Sequence, residues 1–142
     1  MEFVVDSSVA AKWFLPPAEE PFTSEALRVL SGFRSGQTDI LVPDLFWPEM
    51  GNILRKAVVR GRITSEYALA AIALLEASDI PSKPTSALLK DAFRLADAYG
   101  PSVYDATYVV LARRSGRVLL TADERLVNML GSRFPLLWLG AL

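Results

Sequence analysis

Hydrophobic residues fall into two patterns along this chain: short apolar runs closed by polar or turn-forming residues, and longer segments with helical spacing. The first run, Phe3–Val5, closes on Asp6-Ser7-Ser8, which predicts a buried strand running straight into a helix over Val9–Leu15 that Pro16-Pro17 ends. Pro21–Phe33 is expected to be helical, with Ala26, Leu27, Val29, Leu30 and Phe33 on its apolar face and Gly36 as a stop. Ile40–Val42 reads as a second brief strand. Pro43-Asp44 then opens a long helix to roughly Arg60, stopped at Gly61, with Pro48 either in its opening turn or at a kink.

The second half repeats the alternation. Thr64-Ser65-Glu66 begins a helix to about Ala77, and Ile80 is expected in a short connecting strand. Ser86–Ala98 sets Leu88, Leu89, Ala92, Phe93, Leu95 and Ala96 on an apolar side before Gly100-Pro101. Val103–Arg114 is nearly all apolar and reads as a buried helix stopped at Gly116. Val118–Leu120 is the clearest interior strand, followed by a helix over Ala122–Leu130 and a last strand over Leu136–Leu139. No repeat, low-complexity segment or linker interrupts the chain, so residues 1–142 are expected to form one domain. Strands alternating with helices predict an α/β fold with a parallel sheet covered on both faces. In such a sheet, helix N-termini collect at the carboxyl edge of the strands, where ligands bind.

Composition narrows the chemistry. The hydrophobic fraction of 51% and charged fraction of 22% are those of a folded domain, slightly apolar for its size, which fits either a surface covered by a partner or a well-filled core. The chain has no Cys and no His, which excludes disulfides, thiolate sites and every imidazole-based triad. A hydrolase working near neutral pH must then use carboxylates, Lys or a metal-activated water. Net charge gives no sign of nucleic-acid binding, since 15 Lys+Arg face 16 Asp+Glu. Setting aside four acids that hold cations would leave 15 basic against 12 acidic residues. The longest apolar stretch, Tyr67–Leu75, is too short to span a membrane, and the Met-Glu-Phe-Val-Val-Asp start lacks a basic leader. A cytoplasmic protein is the expectation.

Four acids fall at the expected carboxyl edge. Asp6 ends the first strand, and Glu49 lies near the start of the helix after the second. Asp105 is in the opening turn of the helix leading into Val118–Leu120, and Asp123 follows that strand. Each alone has a plain structural explanation. Asp6 suits a helix cap, Ser102/Asp105 and Thr121/Glu124 have capping-box spacing, Asp123 favours the helix dipole, and Glu49 suits a solvated helix face. Together they ask for more, because carboxylates among apolar neighbours need partners and gathered carboxylates repel one another. Hard divalent cations answer both demands with oxygen ligands. Arg55, Lys56, Arg60 and Arg62, or Arg113, Arg114 and Arg117, suit RNA phosphates, but solvated helix ends account for them better. Trp13, Phe14, Leu15, Phe46 and Trp47 suit a groove for a partner helix, or else core or dimer contacts.

With these positions in view, the sequence resembles the PIN-domain family, especially VapC-type toxins of prokaryotic toxin–antitoxin pairs. The resemblance rests on Val-Val-Asp6-Ser7-Ser8-Val, Pro43-Asp44-Leu45 with Glu49 and Asn52-Ile-Leu54, Val103-Tyr104-Asp105-Ala106-Thr107-Tyr108, and Leu120-Thr121-Ala122-Asp123-Glu-Arg-Leu126. These motifs come in family order and span nearly the whole chain. The resemblance implies a three-layer α/β/α sandwich around a mostly parallel sheet and endoribonuclease activity. It also implies Asp6, Glu49, Asp105 and Asp123 as catalytic ligands of one or two Mg2+ or Mn2+ ions, a homodimer, and an antitoxin partner. Ser8 and Thr121 match hydroxyl positions beside the acids, although helix capping accounts for them as well. Asn52 matches an amide one turn after the glutamate, or bonds locally. Two other readings stay open: a PIN-like subunit that binds RNA or a partner without cutting, and another metal-dependent phosphohydrolase. The latter lacks the Asp-x-Asp nucleophile motif, because Ser8 stands in its second position.

Overall fold

A computed structural model describes residues 1–142. Strand β1 (Glu2–Val5) takes the centre of the sheet because Phe3, Val4 and Val5 are apolar on both sides of the backbone. It pairs in parallel with β2 (Asp39–Pro43) on one side and β4 (Val118–Thr121) on the other. Val4 lies opposite Leu41 and Leu119, and all three are buried. Such two-sided burial is what an all-parallel sheet requires. Strands β3 (Ser82–Lys83) and β5 (Leu136–Trp138) add at the edges, giving the order β3-β2-β1-β4-β5.

Seven helices cover the sheet: α1 (Ser7–Ala10), α2 (Thr23–Arg34), α3 (Phe46–Val59), α4 (Ser65–Ala77), α5 (Leu89–Tyr99), α6 (Val103–Ser115) and α7 (Glu124–Leu130). Right-handed crossovers put α1–α4 on one face, because the chain steps outward from β1 to β3, and α5–α7 on the other, because it then crosses back to β4. The packing agrees, since α3 contacts α1 and α4 while α5 lies along α6. The result is a three-layer α/β/α sandwich. α6 is its most buried helix, with Ala106–Ala112 out of water throughout. Gly100 and Gly116 frame it, each in the left-handed region (φ +94° and +66°) where a side chain would be strained. No helix is long and apolar enough to cross a membrane.

Several sequence expectations shift. The third strand forms at Ser82–Lys83 instead of around Ile80: Ile80 is a core residue, and Pro81 contributes only its carbonyl, which accepts from Val42 N at 3.1 Å. The helix expected from Ser86 begins as a 3-10 turn over Thr85–Leu88. There Thr85 N donates to Asp44 Oδ1 (2.8 Å) and Leu45 N donates to Thr85 Oγ1 (3.0 Å), which ties the turn to the end of β2. The first helix is one α-turn, Ser7–Ala10, followed by a 3-10 turn, Ala11–Trp13. Pro48 sits in the opening turn of α3, where it needs no donor. Trp13, Leu15 and Phe46 are buried, so the aromatic segment reads as core and not as an open groove. Conversely, Leu27, Leu89 and Phe93, expected on covered faces, are exposed.

Candidate active site

Asp6 continues β1 by one residue, its N–H donating to Leu120 O across the sheet at 3.0 Å. It precedes α1, yet its side chain makes no capping bond. The carboxylate is 7% exposed and is held by hydroxyls: Ser8 Oγ and Thr121 Oγ1 both donate to Oδ2 at 2.8 Å. Those hydroxyls are themselves anchored, as Ala122 N donates to Ser8 Oγ (3.1 Å) and Asp123 N to Thr121 Oγ1 (3.1 Å). Both hydroxyl residues predicted beside the acids therefore meet Asp6 directly.

Glu49 lies in the first turn of α3 and approaches Asp6 across the sheet edge. Ser7 Oγ sits between them, 3.4 Å from Asp6 Oδ1 and 3.3 Å from Glu49 Oε1, with one proton for two acceptors. Tyr108 OH donates to Glu49 Oε1 at 2.5 Å. Neither Tyr108 nor Ser7 is marked for this role by its place in the sequence. Tyr108 is 1% exposed on the buried stripe of α6, and a buried phenol must find an acceptor, which was the available signal. Burial, with Asp6 and Glu49 nearby, pushes the Tyr108 phenol far up, so it stays a donor.

Asp105 stands in the first turn of α6, where its backbone N–H donates to Ser102 Oγ at 3.0 Å and the same hydroxyl is the one protein donor beside its carboxylate. Asp123 caps α7, with Oδ1 accepting from Leu126 N at 3.2 Å. Capping thus occupies one of its two oxygens. Asn52 is exposed and bonds to none of these acids. A shared pattern emerges: Asp6, Glu49 and Asp123 each commit one oxygen to the fold and leave the other largely free.

Neighbouring carboxylate charge acts on Asp6, Glu49 and Asp105. Burial raises the Asp6 carboxyl above the ordinary range, against the lowering effect of the Thr121 and Ser8 hydroxyls, and Asp123 raises it further. Burial likewise raises Glu49, opposed by Tyr108 and reinforced by Asp6 and Asp105. Asp105 is raised by burial first, then by Asp6 and Asp123, with the Ser102 hydroxyl and, less, Arg125 pulling back. Every ion pair in the protein lies elsewhere, on Glu19, Glu20, Glu25 or Asp91. Uncompensated charge and an all-oxygen donor set fit a hard divalent cation in kind. No three of the acids gather closely enough to form a closed cage, so the fit is of charge and donor type, not of a finished polyhedron.

A parallel α/β sheet with one buried and three half-buried acids at its carboxyl edge belongs to the class of folds that bind charged ligands at that edge. Residues 3–129 match the PIN domain, and the chain belongs to the PIN-domain family, among proteins of the VapC type. Ribonuclease VapC3 of Pyrobaculum aerophilum is 35% identical over 141 residues, covering 96% of this chain and 98% of the relative. Among solved structures, PAE2754 from Pyrobaculum aerophilum superposes with a TM-score of 0.62 at 26% identity, covering 91% of this chain and 79% of that one. Mycobacterium tuberculosis VapC20, a sarcin-ricin loop cleaving toxin, gives a TM-score of 0.63 over 94% of this chain and 96% of its own, at 19% identity, and so shares the fold.

Proposed function

We propose that this chain is an endoribonuclease, the toxin of a type II toxin–antitoxin pair, which hydrolyses RNA phosphodiesters with Asp6, Glu49, Asp105 and Asp123. The observation that carries the proposal is the Asp6 carboxylate: buried, coupled to three further acids, and without any cationic side chain within ion-pair distance. The family and the VapC3 relative support RNA as the substrate.

Mg2+ or Mn2+, as one or two ions, would be held by the four acids, with Asp6 and Asp105 contributing most directly. A bound divalent ion supplies Lewis acidity that lowers the pKa of water and offsets charge on the departing 3′ oxygen. The chain's own part is positional. Ser8 and Thr121 fix Asp6 Oδ2, which leaves Oδ1 facing its neighbours' charge with only a long contact to Ser7. Tyr108 and Ser7 fix Glu49 Oε1, leaving Oε2 to hold or orient a water. Asp123 keeps Oδ2 uncommitted by the cap. Asp105, with only the Ser102 hydroxyl beside its carboxylate, is the acid most easily redirected toward a ligand.

Partners follow from the same reading. Side chains such as Tyr67, Leu69 and Leu74 on α4, and Leu89 and Phe93 on α5, stand in water in the single chain. Large exposed apolar residues of this kind suit a second copy of the chain and an antitoxin helix. The experiment is expression in cells followed by mapping of RNA ends, with Asp6→Asn as control. The proposal expects cuts bearing 5′-phosphate and 3′-OH ends that vanish in the control. Products ending in 2′,3′-cyclic phosphate would contradict hydrolysis by water.

A further inference from the structure

A second charged surface lies away from the four acids, along α5 and the end of α6. A cleft of about 510 Å3 there is lined by Asp91, Arg94, Tyr99, Arg113, Arg133 and Phe134, with Leu95 beneath. Its one acid is already neutralised, since Asp91 accepts from Arg94 (3.2 Å) and from Arg114 (2.5 Å). Arg113 and Arg133 have no carboxylate in reach and make no side-chain hydrogen bond. Each is instead laid against a ring: Arg113 is 5.6 Å from the Phe134 centroid and Arg133 is 5.5 Å from that of Tyr99. The two rings meet edge to face at 5.3 Å, which makes a continuous stack Arg113–Phe134–Tyr99–Arg133. Stacking restrains the guanidinium groups and leaves their N–H donors uncommitted. The chain as a whole carries −1, so this excess is local.

Planar cations interleaved with aromatic rings, over a cleft, match a single-stranded polyanion whose phosphates pair with arginine and whose bases stack. We propose that this cleft binds single-stranded RNA beyond the phosphate that is cut. The inference rests on the ribonuclease reading and adds the path of the strand. Arg113 is eight residues after Asp105 on one helix, roughly 12 Å along the axis, a span that a single strand held at the acids can bridge.

The test uses Asp105→Asn protein in EDTA, so that RNA stays intact, and labelled poly(U) as the probe. Arg113→Glu with Arg133→Glu should weaken binding by about tenfold or more and flatten its dependence on salt. The same charge change on α2, Arg28→Glu with Arg34→Glu, should stay within about twofold of the parent, as a general field effect would. Arg113→Gln with Arg133→Gln, which removes charge with less disturbance of the stack, should show an intermediate loss and guards against misfolding of the first variant. Equal losses in the cleft and α2 variants, no loss in either, or no binding by the parent would each overturn the cleft. Absence of RNA cleavage by the wild-type protein would instead remove the reading on which it rests.

Discussion

Asp6 and Asp91 are the same residue in opposite circumstances. Asp91 sits at the surface between Arg94 and Arg114, whose charge and hydrogen bonds hold its carboxyl below the ordinary range. Asp6 is buried beside other acids, and burial drives its carboxyl upward. The fold compensates the charge that needs compensation least and leaves uncompensated the charge that costs most. Stability alone does not select such a placement, whereas a ligand that arrives later and brings positive charge does.

The contrast breaks most visibly in activity. Asp6→Asn or Asp105→Asn should lower RNA cleavage by roughly a hundredfold or more, the scale of losing a group that stabilises transition-state charge, as measured by initial rates at limiting Mg2+. Cleavage by Asp105→Asn at the wild-type rate would dissolve the distinction between the two kinds of acid. Next in size is Tyr108→Phe, which frees Glu49 Oε1 from its shortest bond. It should weaken Mn2+ binding by about tenfold, as removal of a group that orients a ligand does, with the far-ultraviolet circular dichroism spectrum unchanged. Affinity equal to the wild type would reduce Tyr108 to a packing residue.

The smallest effects concern the metal-free protein. Asp6→Asn should raise its stability at neutral pH by about 1 kcal/mol, in the range seen when a destabilised functional group is relieved, whereas Asp91→Asn should lower it. The two should also respond oppositely to pH. A raised carboxyl such as Asp6 is harmless below its unfolded value and costs stability as pH rises through its folded value, so the gain from Asp6→Asn should shrink on acidification towards about pH 4. A lowered carboxyl such as Asp91 contributes above its unfolded value, and that contribution fades as pH falls through its folded value. Thermal melts of both variants beside the wild type would show the pattern. A loss of stability in Asp6→Asn at neutral pH would contradict the claim that its charge is strained.

Much of the fold was legible because its signals are local. Alternating apolar runs marked β1, β2 and β4, and Gly100 and Gly116 marked the limits of the helices around Asp105. That residues 6, 49, 105 and 123 would fall at one edge followed, whatever the strand order, from the rule that parallel sheets present one carboxyl edge. What escaped depended on contacts distant in sequence. The delayed start of α5 comes from Asp44 holding Thr85, 41 residues away. The grip of Tyr108 on Glu49 spans 59 residues. Helical spacing placed Leu89 and Phe93 on a covered face, although in the single chain they meet water. Periodicity identifies an apolar stripe, but only the packed neighbours decide which end of it is covered.

On the proposed function, the uncompensated acids form one binding site for a divalent ion. Calorimetric titration of the metal-free protein with Mn2+ tests it most directly. Saturable uptake of one or two ions per chain is expected, abolished or strongly weakened by Asp6→Asn and by Asp105→Asn alike. No uptake by the wild type, or uptake that survives both substitutions, would contradict it.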